Sequence, residues 1–243
     1  DHLVQVKCYN KSVNKIRHTK GVLSMTKIFQ STRTCFVCGA KSKHMDLASS
    51  NSYGSPDLDL RRPGMIRYTM GQWVQECPDC GYVARDLEEK NPLGKAKVKT
   101  VMATPAYRNG APFKFSSAQA KTFYRKYLLD LSHGNSEQSL HSLLCCVWSC
   151  DDDEDEDAAK AVRKFALPLL NQLIDSATDD KKYIFLLIRA DFLRRSHQFA
   201  KVVKLYTGQQ FPEPNQNAMC AFQLDRAKAK DDRCYQIKDA VGE

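Results

Sequence analysis

Two short stretches decide how this chain folds, Cys35-Phe36-Val37-Cys38-Gly39 and Cys77-Pro78-Asp79-Cys80-Gly81. Each sets two thiols two residues apart and follows them with a glycine, which lets the backbone curl so that both sulfurs face one point. Together Cys35, Cys38, Cys77 and Cys80 can supply four ligands to one tetrahedral ion. Zn2+ is the natural occupant, because it accepts four thiolates without redox chemistry or a demanding geometry. Four sulfurs close the coordination shell, so the expected centre is a single structural zinc with no position for a catalytic water. A redox hook of the thioredoxin sort would precede a helix within a βαβ unit, whereas turns and short strands flank both hooks here. His44, six residues after Cys38, is the alternative fourth ligand.

Between the hooks lie 38 residues, more than the roughly 15 to 20 of a compact ribbon, so an insert is expected. Its first part, Ser49 to Asp57, is turn-rich by composition. Its second part, Ile66-Arg67-Tyr68-Thr69-Met70, alternates like a half-buried strand, and Gly71-Gln72 turns the chain into Trp73-Val74-Gln75-Glu76. Tyr82-Val83-Ala84 leaves the second hook as another short strand. Residues 31–87 therefore read as a zinc-ribbon-like domain with a long insert.

From Glu88 to Pro112 the chain is polar and punctuated by Pro92, Gly94, Pro105, Gly110 and Pro112, which reads as a linker. Helical periodicity then takes over across residues 113–243. Apolar stripes run through Phe123, Tyr124, Tyr127, Leu128 and Leu131, then Leu140, Leu143, Leu144, Val147 and Trp148, with Asn135 and Gln138 as a capping box. Further stripes run from Val162 to Leu173, where Pro168 should kink or divide the helix, from Tyr183 to Leu193, and from Phe199 to Tyr206. A last helix is expected over 216–231. The fold class is α+β, mostly α: a small β module followed by a tetratricopeptide-like helical domain.

The stretch from Ala190 to Tyr206 resembles a tetratricopeptide repeat, with Ala190, Ser196 and Phe199 where that repeat wants small and aromatic residues, and Val202 where it prefers alanine. From Cys35 to the end, the chain is similar to an uncharacterised bacterial family, a domain of unknown function. That family joins two cysteine hooks across a long insert, a segment like Gly54-Ser55-Pro56-Asp57-Leu58-Asp59-Leu60-Arg61, a second hook like Cys77-Pro78-Asp79-Cys80-Gly81-Tyr82, and C-terminal helices. The resemblance implies a zinc-ribbon and helical-repeat architecture in a bacterial cytoplasm and assigns no reaction.

Composition bounds the function. Apolar and charged fractions of 42% and 27% belong to an ordinary folded protein. No apolar run reaches the roughly 20 residues of a membrane span. The ten cysteines, six of them outside the hooks and mostly beside apolar residues, point to a reducing, intracellular compartment. Of the net charge of +9, residues 1–114 hold 19 basic against 9 acidic side chains, which makes nucleic acid a second partner class. Residues 1–30 read as a basic extension: an appended segment up to about Met25, with a mitochondrial-transit-like leader as the alternative. The run from Asp151 to Asp157 lacks the glycine and ligand spacing of an EF-hand and reads as a solvated loop charging the next helix's N-terminus.

The expected function is an intracellular platform for another protein, without catalysis and without membrane contact. Its candidate surface is the insert: Asp57, Asp59, Arg61, Arg62, Arg67 and Trp73. The alternative is a nucleic-acid-binding ribbon in which Tyr68 and Trp73 stack bases beside Arg61, Arg62 and Arg67. A third reading places an enzyme site around Asp57 to Arg62, against the plainer reading of a charged turn whose groups pair with one another. His133, His141 and His197 lack nucleophile or metal-ligand spacing, and the sequence has no glycine-rich phosphate loop and no serine-elbow motif.

Overall fold

The computed structural model describes residues 26–242; the readings placed on residues 1–25 lie outside the described residues. Around the first hook the chain forms an antiparallel hairpin, β1 (Lys27–Thr34) and β2 (Lys41–Ser49), with Arg33 opposite Ser42 and Phe29 opposite Asp46. The hook itself is the hairpin's turn. The second hook joins a smaller pair, β3 (Gln75–Glu76) and β4 (Val83–Ala84), in the place expected of short strands there.

The expected strand at 66–70 is instead a 3-10 helix, Met65–Gln72. Its buried residues, Thr69 and Met70, are adjacent, a placement that alternation across a sheet would not give. The Thr69 hydroxyl donates to the Ile66 carbonyl at 2.8 Å and accepts the Trp73 indole N–H at 3.1 Å. The short helix is thus tied from within.

The expected linker is also structured. It carries α1 (Gly94–Met102) and α2 (Pro105–Asn109), which pack on each other and on α3 (Ala118–Ser132). The residues read as punctuation are helix signals. Thr104 caps α2 by accepting the Tyr107 N–H, Pro105 opens it where no N–H is needed, and Gly110 closes it in the left-handed region at φ 82°.

Four long helices follow one another as packed neighbours: α3, α4 (Ser136–Asp152), α5 (Glu156–Ser176) and α6 (Asp179–Arg195). Then α7 (Phe199–Tyr206) and α8 (Pro214–Lys228) fold back onto α6 and onto each other, and α9 (Ile237–Val241) rests on α8. Most of the stripes read from the sequence form the interior, with Phe123, Tyr124, Leu143, Val147, Val162, Leu170, Leu193 and Val202 all buried, but Leu131 and Phe165 lie exposed. Asn135 caps α4, accepting the Gln138 N–H at 3.0 Å, but its own N–H goes to the Asp130 carbonyl, so the reciprocal half of the expected capping box is not formed. Pro168 does not divide α5, which runs through it as one helix of 21 residues. Cys145, Cys146, Cys150 and Cys220 are buried thiols, while Cys234 lies exposed in the tail. The described chain is a mostly helical α+β structure with two small two-stranded sheets. No described helix is long and apolar enough to cross a membrane.

Candidate metal centre

The two hooks close in the same way. The Cys35 carbonyl accepts the Gly39 N–H and the Cys77 carbonyl accepts the Gly81 N–H, both at 2.8 Å; Cys35 N–H and Cys77 N–H donate to Ala40 and Tyr82 carbonyls, again at 2.8 Å. Gly39 and Gly81 take φ of 81° and 73°, a region that costs an L side chain roughly 1–2 kcal/mol. These turns bring the four sulfurs within 4.8 Å of one another. Cys35 Sγ stands 3.7 Å from Cys80 Sγ, and Cys38 Sγ 3.6 Å from Cys77 Sγ. A tetrahedron with metal–sulfur bonds of about 2.3 Å has sulfur–sulfur edges of about 3.8 Å. The donor set therefore fits one tetrahedral ion. Burial pushes the Cys77 and Cys80 thiols up, and the Ala40 backbone N–H pulls Cys38 down. His44 is turned to another use: its Nε2 meets the Ser42 hydroxyl at 2.7 Å.

Outside the sulfurs, the helical layer grips the second hook. The Tyr107 hydroxyl of α2 donates to the Gly81 carbonyl at 2.9 Å and accepts the Val83 N–H at 3.2 Å. Arg125 of α3 reaches back to the Tyr107 carbonyl through Nε at 2.9 Å and to Glu76 of β3 at 2.5 Å. Nothing at the hooks themselves announces this clamp; a tyrosine and an arginine in helical segments 26 and 44 residues beyond Gly81 supply it.

The insert is anchored to the helices by a buried ionic joint. Asp57, Asp59 and Arg61 are all enclosed, so the expected partner surface at these three residues is corrected to an interior contact. Their charges do not pair within the turn either. The Arg61 guanidinium takes both oxygens of Asp152 at the end of α4, at 2.8 and 2.5 Å. Asp59 accepts the Trp148 indole N–H at 2.8 Å and faces Arg195 at 3.7 Å. Asp57 pairs with Arg67 at 2.7 Å. Leu60, at φ 68°, supplies the turn that aims Asp59 and Arg61 inward. The C-terminal tail completes the enclosure, with Leu58 N–H donating to the Tyr235 carbonyl at 2.9 Å and Ile237 N–H to the Pro56 carbonyl at 2.8 Å.

The acidic run is part of this joint rather than a solvated loop throughout. Asp151 holds Arg163 at 2.5 Å and Arg195 at 3.0 Å, and Asp155 caps α5. Two carboxylates at the C-terminal end of α4 oppose its dipole; the three guanidiniums around them offset that. Burial opposes ionisation of Asp151, but Arg163 and Arg195 outweigh it and hold the carboxyl below its usual range. At Asp59, burial and then the nearby Asp191 charge win, and the carboxyl is raised.

Arg62 remains exposed, Arg67 is spent on Asp57, and Trp73 is half-buried with its N–H on Thr69. Of the base-stacking face expected from Tyr68 and Trp73 beside Arg61, Arg62 and Arg67, only Tyr68 and Arg62 stand exposed. What the insert does present outward is different: Tyr53 and Tyr68 are each 73% exposed, and Met65 46%. Met65 and Tyr68 stand three residues apart in a 3-10 helix, hence on one face. Asn51 brings the Tyr53 loop alongside, its backbone carbonyl accepting the Ile66 N–H at 2.9 Å. No protein-family model, curated protein or solved structure matches the chain.

Proposed function

We propose that the chain is a zinc-stapled docking platform for another protein, working in the cytoplasm and without catalysis of its own. The zinc is one structural ion on Cys35, Cys38, Cys77 and Cys80, the occupant that best suits a closed set of four thiolates. The observation that carries the platform reading is the outward face of the insert, where Tyr53, Met65 and Tyr68 stand in solvent beside exposed Arg62. Tyrosine, methionine and arginine are the residue types enriched in the centres of protein interfaces. Such side chains exposed on a flexible loop would lose entropy on binding. Here the other side of the same segment is fastened to α4, α6 and the tail, so its backbone is set before a partner arrives. The closed set of four thiolates and the burial of Asp57, Asp59 and Arg61 support a structural use of these groups. The bacterial-family resemblance is compatible with this reading and adds no reaction to it.

The test is purification of tagged chain from its native cell, comparing the wild type with a Tyr53→Ala/Tyr68→Asp variant. Both should hold one equivalent of zinc by elemental analysis and give the same far-UV circular dichroism. The platform reading expects a co-purifying protein that the variant loses at least tenfold. A variant that keeps every co-purifying protein at wild-type amounts overturns it.

A further inference from the structure

The chain's positive charge is concentrated far more narrowly than in its front half. Residues 90–129 hold nine Lys and Arg and no Asp or Glu. Removing those nine from the 37 basic residues leaves 28, against 28 acidic residues, so these forty residues carry the whole net charge of +9. They are α1, α2 and most of α3, of which α2 and α3 clamp the second hook. None of Lys95, Lys97, Lys99, Arg108, Lys114 and Lys121 forms an ion pair among the described residues. Elsewhere most arginines are matched: Arg33, Arg61, Arg67, Arg163, Arg194 and Arg195 each have a carboxylate.

Two of the free cations, Lys99 and Arg108, line a cavity, and Lys95 stands over the Phe36 ring of the first hook. A cleft of about 250 Å³ opens beside the second hook, lined by Lys99 and Met102 of α1, Tyr107 and Arg108 of α2, Arg125 of α3, and Cys80 and Gly81 of the hook. Lys121 lies one helical turn before Arg125 on α3. Glu76 neutralises part of Arg125, and Asp79 in the hook is the other nearby acid. A zinc ion with four thiolates would add two negative charges behind the cleft. Lys126 is paired with Asp130 and Arg125 with Glu76; with those two set aside and the two zinc-site charges set wholly against this region, five of its nine positive charges remain uncancelled.

We infer that this cleft and the lysines of α1 bind the phosphate backbone of a nucleic acid. Each phosphate is a compact anion that can enter a cleft edged by Lys99 and Arg108, while its neighbours along the strand meet Lys95 and Lys97. A bilayer is the poorer fit. Its headgroups form a broad surface, and residues 90–129 expose no large apolar side chain to enter it. This surface is separate from the tyrosine face of the insert and shares no residue with it.

The experiment uses full-length, zinc-loaded protein and fluorescence anisotropy with labelled 20-nucleotide single strands and duplexes at 50 and 200 mM salt. With four phosphates contacted, single-strand binding should weaken by about 50-fold over that range. A Lys97→Gln/Lys99→Gln/Arg108→Gln variant should bind at least tenfold more weakly at 50 mM salt and lose roughly two from its log–log salt slope. The same three positions changed to keep charge (Lys97→Arg, Lys99→Arg, Arg108→Lys) should retain binding, and Arg62→Gln should be neutral. Wild-type affinity in the charge-removing variant overturns the inference, as does no salt-sensitive binding to either oligonucleotide. Binding to vesicles containing phosphatidylserine in the absence of oligonucleotide binding overturns it too, in favour of a lipid surface.

Discussion

At the scale of single residues, the joint between insert and helices is asymmetric, and the asymmetry predicts which side of a pair matters more. The Arg61 side chain is 2% exposed while its partner Asp152 is 47% exposed. Asp152→Ala leaves a buried guanidinium without its paired carboxylate, with only the more distant Asp57 and Asp151 charges to compensate, and should cost about 3 kcal/mol. Arg61→Met leaves a carboxylate that water can reach and keeps most of the packing, so a smaller loss of roughly 1–2 kcal/mol is expected. Urea denaturation of the two variants checks this; equal costs, or a cheaper Asp152 variant, contradict it. Asp151 adds a pH signature. Its folded carboxyl lies below the usual value near 3.8, so its stabilisation is present above that value and fades as pH falls through it. Asp151→Asn should therefore lower the melting temperature at pH 7, and the gap to wild type should close as melts are run towards pH 3. A gap that stays constant or widens would show that the carboxylate's charge is not what Arg163 and Arg195 use. None of these pairings was legible in the sequence beyond a suggestive cluster at Asp57 to Arg62. The partners of Asp59 and Arg61 lie about 90 residues or more away, and a charge shows whom it pairs with only once the chain has folded.

At the scale of elements, the same local signals served two readings. Pro105 and Gly110 mark a linker when read as breakers and a short helix when read as its first residue and its cap; Thr104 ahead of the proline was the deciding sign. The stretch 66–70 alternates like a strand, yet five residues cannot separate a period of two from the threefold repeat of a 3-10 helix. The β1–β2 hairpin lacks an apolar alternation because its ordering comes from the hook at its turn. The long helices were legible, since their stripes persist over several turns. Short α2 matters most to the metal centre, because Tyr107 serves two backbone groups of the second hook at once. Tyr107→Phe leaves the Gly81 carbonyl and the Val83 N–H without that hydroxyl, at about 1–3 kcal/mol for each group. Groups that hold metal ligands in place typically change affinity 10- to 100-fold when lost. The variant should therefore release zinc to a competing chelator at a concentration at least tenfold lower than wild type does; release at the same concentration would mean that the hook holds its shape unaided.

At the scale of the whole molecule, the two ties between ribbon and helices differ in kind, and metal removal separates them. Tyr107 and Arg125 bind the second hook directly, whereas the insert is bound through Arg61–Asp152 and Asp59–Trp148, which need no metal. The buried apolar cluster runs from the hooks into the helices, but most of its side chains belong to α3 to α8, so the helices should keep most of their core without the four sulfurs. The small sheets do: two strands of two residues and one exposed hairpin are below what stands alone in water. Stripping the metal should therefore melt residues 27–49 and 75–84 while most of the helical circular dichroism remains. Trypsin reports where the boundary falls. Cleavage after Lys41 and Lys43 in β2 should accelerate at least tenfold in the stripped protein, and cleavage after Arg61, buried in the joint, should stay slow. If Arg61 is cut as fast as Lys43, the insert belongs to the ribbon's cooperative unit and the ionic joint does not hold by itself. If more than half of the helical signal disappears with the metal, the chain is one unit in which the four cysteines govern the whole helical layer through the contacts of α1 to α3 with the second hook.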